Sequence, residues 1–331
     1  MPHYRSIQAL RFVAALLVVA FHLADGHFIV GAAGVDVFFI ISGFIMGTIG
    51  VREPPAAFLA KRLIRVVPLY WAVTLLMSVV SLAGVFTQFT VDPRRLVLSL
   101  LFIPYYEPGG GLWPLVVVGW TLNVEMLFYA VFTVGLVLGA PIRFAFVALA
   151  LLALAGAVLE PESAILVQWT TPLLLEFAAG LALATFVRPA GLGKGAAMVG
   201  LGLAGFAGFT ALGLGDQNLR LLTWGMPAFL IVAGALAIER AGRWPSGLRL
   251  IEIGGNASYS LYLLHGLVIS AAAKTIGTSV PAKVAAGAIA VAVSLASYRL
   301  FEKPMGAFLG RSVKALSARK EIGGQAVSAK S

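Results

Sequence analysis

The chain has 331 residues, 60% of them hydrophobic and only 11% Lys, Arg, Asp or Glu, with a mean hydropathy of +0.95. Soluble domains carry about 25% charged residues and disordered chains are poor in apolar ones, so both classes are excluded in favour of an integral membrane protein. The net charge of +10 suits basic cytoplasmic loops and anionic lipid rather than nucleic acid, and the absence of cysteine removes disulfides, thiol nucleophiles and thiolate metal sites.

A membrane-spanning helix needs about 20 apolar residues. Stretches of that length, separated by charge, Gly and Pro clusters, predict ten spans near residues 7–25, 34–50, 67–86, 115–139, 143–159, 168–187, 195–214, 219–238, 257–276 and 280–301. The first lacks a small-residue cleavage signature and runs on into the second, so it reads as a retained helix rather than a removed signal. The expected fold is all-α, a polytopic membrane bundle of about ten transmembrane helices. One domain covers 1–310, and a basic cytoplasmic tail covers 311–331. The apolar run Leu96 to Ile103 is too short to span and reads as interfacial or re-entrant. With both termini cytoplasmic, eighteen Lys and Arg fall inside, whereas Arg94, Arg95, Arg220, Lys274 and Lys283 fall outside. The positive-inside rule therefore predicts cytoplasmic termini in a multi-pass protein of the cytoplasmic (inner) membrane.

Ionisable groups within spans are costly and face a bundle interior or a watery cavity, which makes them candidate site residues. They are Arg11, His22, Asp36, Glu125, Glu176 and His265. Arg11 and His22 are eleven residues apart, so they share one helix face and stand about 16 Å apart along it. That face carries a cation toward the cytoplasmic end and an imidazole toward the outer end. The alternative is an Arg that snorkels to the headgroups and a His bonded to a neighbouring helix.

Asp36 opens the second span at the depth of His22, where it can accept a ring N–H and fix the tautomer. It can equally serve as a charge at a helix N-terminus. Ser42-Gly43-Phe44 admits another backbone or a thin ligand, or simply packs. Arg62 and Arg65, three apart on one face, can clamp a phosphate or anchor to anionic lipid. Trp120, Asn123 and Glu125 put an indole, an amide and a carboxylate into the fourth span, with a positioning or structural role favoured for Glu125. Ser258, Tyr262 and His265 share a face of the ninth span, and a buried, hydrogen-bonded His265 is favoured over a catalytic one. Glu176 receives no role. Four His, none spaced three or four apart, argue against helical metal sites, and there is no Walker loop.

Six blocks in order along the chain resemble the acyltransferase 3 family of integral membrane O-acyltransferases, most closely its exopolysaccharide-acetylating branch. They are Arg11 followed by ten residues and His22, residues 34–44 (GVDVFFIISGF), 62–68 (RLIRVVP), 120–129 (WTLNVEMLFY), 258–265 (SYSLYLLH) and 301–304 (FEKP). The resemblance implies ten membrane helices and transfer of an acyl group, usually acetyl, from cytoplasmic acyl-CoA to a hydroxyl of an extracytoplasmic glycan such as an exopolysaccharide. It implies that His22 is the essential catalytic residue, with Arg11, Arg62 and Arg65 associated with the donor. Acyl-CoA would then be a co-substrate, with no bound cofactor. The partners implied are the bilayer, the glycan and, because no extra soluble domain is fused, polysaccharide assembly proteins that receive the product. In such chemistry His22 acts as general base or as nucleophile. The rival reading is a secondary transporter or flippase for a glycan or lipid-linked precursor, with Arg11, His22, Asp36 and Glu125 forming a path.

Overall fold

The computed structural model describes residues 4–84, 91–187, 189, 191–214 and 219–311. Of the expected basic tail only Arg311 is among them. The rest of the tail and Arg188, which entered the charge count, lie outside the described residues.

Helices are the only regular elements among the described residues: α1 (Arg5–Leu23), α2 (Gly34–Thr48), α3 (Pro55–Leu82), α4 (Pro93–Leu100), α5 (Trp120–Val137), α6 (Pro141–Leu159), α7 (Ala164–Trp169), α8 (Leu174–Phe186), α9 (Leu192–Ala211), α10 (Met226–Arg240), α11 (Arg249–Asn256), α12 (Ser258–Ile276) and α13 (Val280–Ser297). Nine helical segments among them are long and apolar enough to cross a membrane. The remaining expected span, the ninth, is α12, which has 19 residues but whose polar run from Ser258 to His265 lowers its hydropathy. Ser258, Ser260 and His265 in that run are fully buried. Its polar face therefore turns into the bundle, as a helix in lipid requires.

Local signals fix the helix ends. Pro55 occupies the first turn of α3, where its missing N–H costs nothing. The apolar run too short to span falls partly in α4, capped by Asp92, which accepts from the Arg95 backbone N–H at 2.9 Å. Eight residues rise only about 12 Å, and the Trp71 indole of α3 donates to Leu100 O at 2.8 Å at the end of α4. One helix departs from expectation. Residues 239–256 read as a connecting loop, yet α11 forms there and packs on α1. It comes so close that a methyl group at Gly255 would overlap the Gln8 carbonyl.

The innermost windows belong to α2 and α10, each 67% buried, whereas those of α6, α9 and α13 are 17% buried and form the lipid-facing rim. This explains why the fifth and seventh spans are so uniformly apolar or small: nothing in them has to serve the interior. Helices α2 and α8 cross backbone to backbone at Gly43 and Gly180, where an added methyl group would overlap Phe177 O and Ile40 O respectively. Gly43 thus admits another backbone.

Polar ties gather helix ends onto two faces. On one, Arg5 meets Glu252 at 2.9 Å, and the backbone N–H and hydroxyl of Ser6 donate to Glu239, joining the start of α1 to α10 and α11. On the other, Lys283 meets Asp25 at 2.6 Å, joining the end of α1 to the start of α13. The Lys283 hydrogen bond holds the exposed Asp25 carboxyl below its ordinary value.

Candidate active site

A cavity of about 290 Å³ is lined by residues of α1, α2, α3, α5 and α12. One end is cationic and holds Arg11, Lys61, Arg62 and Arg65, with Lys61 bound to Glu53 at 2.9 Å. The guanidinium of Arg62 lies 5.6 Å from the Phe58 ring. Arg62 Nε and Arg65 Nη2 are buried with no hydrogen-bond partner. Buried guanidinium donors without acceptors are expensive, so this end has the chemistry to bind an anion such as a phosphate.

Between its ends the cavity is largely apolar, lined by Phe39, Ile41, Ile45, Met46 and Leu122. Its polar exception is Glu125, which accepts from Ser42 Oγ at 3.2 Å and from the Tyr129 hydroxyl. Those bonds run to neutral hydroxyls rather than to Arg11. Tyr129 was missed in the sequence, although it follows Glu125 by four residues and so shares its helix face. Trp120 and Asn123 do not line the cavity. The Trp120 carbonyl accepts from Gln168 Nε2 at 3.0 Å, while Asn123 is buried with its Oδ1 unpartnered.

At the far end stand Val35, Phe38, Thr121 and Tyr262. The Tyr262 hydroxyl donates to Val118 O at 3.1 Å and lies 2.9 Å from Thr121 Oγ1. Beyond Tyr262, 6.1 Å away between ring centres, is His265, and His265 meets His22 with rings 4.8 Å apart. His22 Nδ1 lies 2.9 Å from Val18 O, His265 Nδ1 lies 3.1 Å from Leu261 O, and His265 Nε2 lies 3.2 Å from His22 Nδ1. Carbonyl oxygens only accept, so both neutral rings carry their proton on Nδ1. His265 Nε2 is then an acceptor that shares the His22 Nδ1 proton with Val18 O. The lone pair of His22 Nε2 is left for chemistry, on a half-buried ring.

Asp36 corrects an expectation. It does not orient His22; it is fully buried and bound by Arg220, Nε to Oδ1 at 3.1 Å and Nη2 to Oδ2 at 2.8 Å. The Arg220 guanidinium also lies 4.7 Å from the Trp224 ring. Arg220 was counted as a loop cation, but it is 7% exposed and belongs to the bundle. The reason is electrostatic: a carboxylate withdrawn from water is compensated far better by a bidentate guanidinium than by a neutral imidazole. Glu176, which had no role in the sequence, lies against this pair, 2% exposed, and neither of its oxygens reaches a donor. Two acceptor-only carboxylates beside one guanidinium leave a negative charge uncompensated unless a proton lies between them.

Comparison with known proteins gives the family of the chain. The acyltransferase-3 family (Acyl_transf_3, acyltransferase domain) matches residues 4–299. The exopolysaccharide production protein ExoZ of Rhizobium meliloti (strain 1021) is 40% identical over 300 residues, covering 86% of this chain and 93% of that protein. The putative membrane-bound transacylase BcsY of Komagataeibacter xylinus is 28% identical over 337 residues, covering 90% and 82%. No solved structure matches. A family match over nearly the whole chain sets the transporter reading aside: the chain belongs to the acyltransferase-3 family and is an integral, multi-pass membrane acyltransferase.

Proposed function

We propose that the protein transfers an acyl group, acetyl in the first instance, from cytoplasmic acyl-CoA to a hydroxyl of an extracytoplasmic glycan of the exopolysaccharide kind. The observation that carries this reading is the cavity running from unpaired guanidinium nitrogens at one end to the approach to the His22–His265 pair at the other. Acyl-CoA is anionic at its nucleotide and thin along its pantetheine arm. Arg62 and Arg65 hold its phosphates, the arm lies along the apolar middle past Arg11, and the thioester points toward His22. The names of the two relatives, one an exopolysaccharide production protein and the other a transacylase, support the choice of acceptor class.

In the reaction, His22 Nε2 takes the proton of the glycan hydroxyl as its oxygen bonds to the thioester carbonyl carbon. The C–S bond then breaks, and the departing thiolate receives the proton from the His22 imidazolium. His265 Nε2 and Val18 O hold the Nδ1 proton throughout, keeping Nε2 the reactive nitrogen and stabilising the transient positive charge. Glu125, fixed by Ser42 and Tyr129, shapes the cavity wall. The experiment is direct: purified protein in lipid vesicles, given labelled acetyl-CoA, should release CoA and label a deacylated exopolysaccharide on the opposite side of the membrane.

Two expected outcomes bear on this reading. Arg62→Gln or Arg65→Gln should raise the Michaelis constant for acyl-CoA by about ten- to a hundredfold, the worth of a lost charge-assisted bond, and leave that for the glycan nearly unchanged. An unchanged donor constant would return both residues to lipid anchoring. Topology can be read from single cysteines in this cysteine-free chain: Phe28→Cys should react with a membrane-impermeant thiol reagent on intact cells, and Ala56→Cys should react only after lysis. The reverse pattern would put the cationic end on the acceptor's side and remove the basis for outward transfer.

A further inference from the structure

The cavity stops short of the histidines. Its lining includes Phe38 and Tyr262 but neither His22 nor His265, and the Phe38 and Tyr262 rings meet edge to face, 5.6 Å apart and 69° inclined. His265, outside the lining, lies 6.1 Å from Tyr262 between ring centres. The aromatic pair is therefore cavity wall that adjoins His265, the ring that meets His22.

The two rings are held differently. Tyr262 is anchored through its hydroxyl to Val118 O and Thr121. Phe38 has no polar anchor, and it is the one partly buried residue in the otherwise buried stretch 33–44. It packs against all three apolar clusters of the bundle, one of them made of Ala15, Val19, Leu261 and Ala290. Val19 precedes His22 by three residues and Leu261 precedes His265 by four, so Phe38 touches the wall that carries both imidazoles. Its backbone is fixed two residues earlier by the Asp36–Arg220 bond, which leaves side-chain rotation as its freedom.

We propose that Phe38 is the movable half of an aromatic partition, with Tyr262 as the fixed half, which admits a short acyl group to His22, excludes longer ones and keeps water from the thioester until an acceptor is present. The proposal rests on the reading of acyl-CoA as donor. Without the partition, water replaces the glycan hydroxyl: its oxygen bonds to the acyl carbon, the C–S bond breaks, one water proton passes to the thiolate, and a free carboxylic acid and CoA result. A short acyl group passes with a small rotation of one ring, whereas two further methylenes require the whole ring to leave its packing.

The test compares purified wild type, Phe38→Ala, Phe38→Leu and Phe38→Trp in lipid vesicles, using acetyl-, propionyl- and butyryl-CoA with and without deacylated exopolysaccharide. Phe38→Ala should raise the butyryl-to-acetyl ratio of kcat/KM by tenfold or more and raise CoA release without glycan at least severalfold. Phe38→Leu, which keeps most of the packing, should move both in the same direction by less, and Phe38→Trp should lower the propionyl-to-acetyl ratio. A general folding defect would lower all donors together and leave these ratios fixed. Unchanged ratios and unchanged glycan-free CoA release in folded Phe38→Ala and Phe38→Leu, beside an active wild type, overturn the partition alone. A wild-type protein that releases no CoA from any of the three donors overturns the donor reading and the partition with it.

Discussion

His22→Ala should abolish acyl transfer, with a loss of at least about 10²- to 10⁴-fold, while the protein stays in the membrane at its normal level and still binds CoA. The magnitude follows from position. Among the described residues the only other imidazole beside His22 is His265, which is fully buried, with Nδ1 committed to Leu261 O and Nε2 to His22. His265 therefore has no free nitrogen with which to replace His22. His265→Gln should be milder, since Val18 O still holds the His22 tautomer: kcat should fall by about tenfold with little change in the donor Michaelis constant, as for a lost hydrogen bond made to a transient imidazolium. Transfer of label from acetyl-CoA to glycan in vesicles measures both. A His22→Ala protein that acylates at near wild-type rate would dismiss the assignment.

How much of this was readable from residues alone differs between the fold and the site. The bundle was legible because lipid allows only closed backbone structures, so uninterrupted apolar length decides the helix count almost by itself. Even α12 could be placed, since a run containing Ser258, Ser260 and His265 is still bounded by Ala257 and Gly277 and carries apolar residues between. What escaped was α11, an eight-residue amphipathic helix whose signal is short and whose purpose is to rest on α1. Depth along a helix was legible too: Arg11 lines the cavity with the other cations, and His22, eleven residues of rise away, lies outside the lining beside His265.

Rotation between helices was not legible. Depth alone put Asp36 and His22 at one level and invited a bond between them. The direction each faces depends on how α1, α2, α10 and α12 pack, through contacts such as Gly43 against α8 and Gly255 against α1. Packing turns Asp36 toward Arg220, and it brings His22 to His265, 243 positions away. Arg220 misled for a related reason. A single cation at the edge of an apolar run reads equally as a loop residue or a buried partner, and only the carboxylate facing it decides. Glu176 was silent in the sequence because its neighbours in the chain are apolar and its partners come from other helices.

The Asp36–Arg220 pair yields the second large expected effect, on stability rather than chemistry. Removing one member of a buried ion pair strands the other and costs about 3–5 kcal/mol, whereas replacing both by apolar or neutral groups of similar volume is near neutral. Arg220→Met strands Asp36 with Glu176 already against it, leaving two carboxyl groups and no cation, so it should be the most damaging single change here. Asp36→Asn strands the guanidinium instead. Because the pair ties α2 to the segment entering α10, either single variant should melt well below wild type in detergent and lose acyl transfer through displaced Phe38 and Phe39. The double variant Asp36→Asn with Arg220→Met should recover most of the melting temperature. Its recovery of activity then separates two roles: full recovery makes the pair a tether of α2 alone, and a stable but inactive double variant gives Asp36 a part in the reaction. Thermal unfolding followed by intrinsic fluorescence, with label transfer measured on the same preparations, reads both. Single variants that melt with the wild type would mean that the pair contributes no net stability.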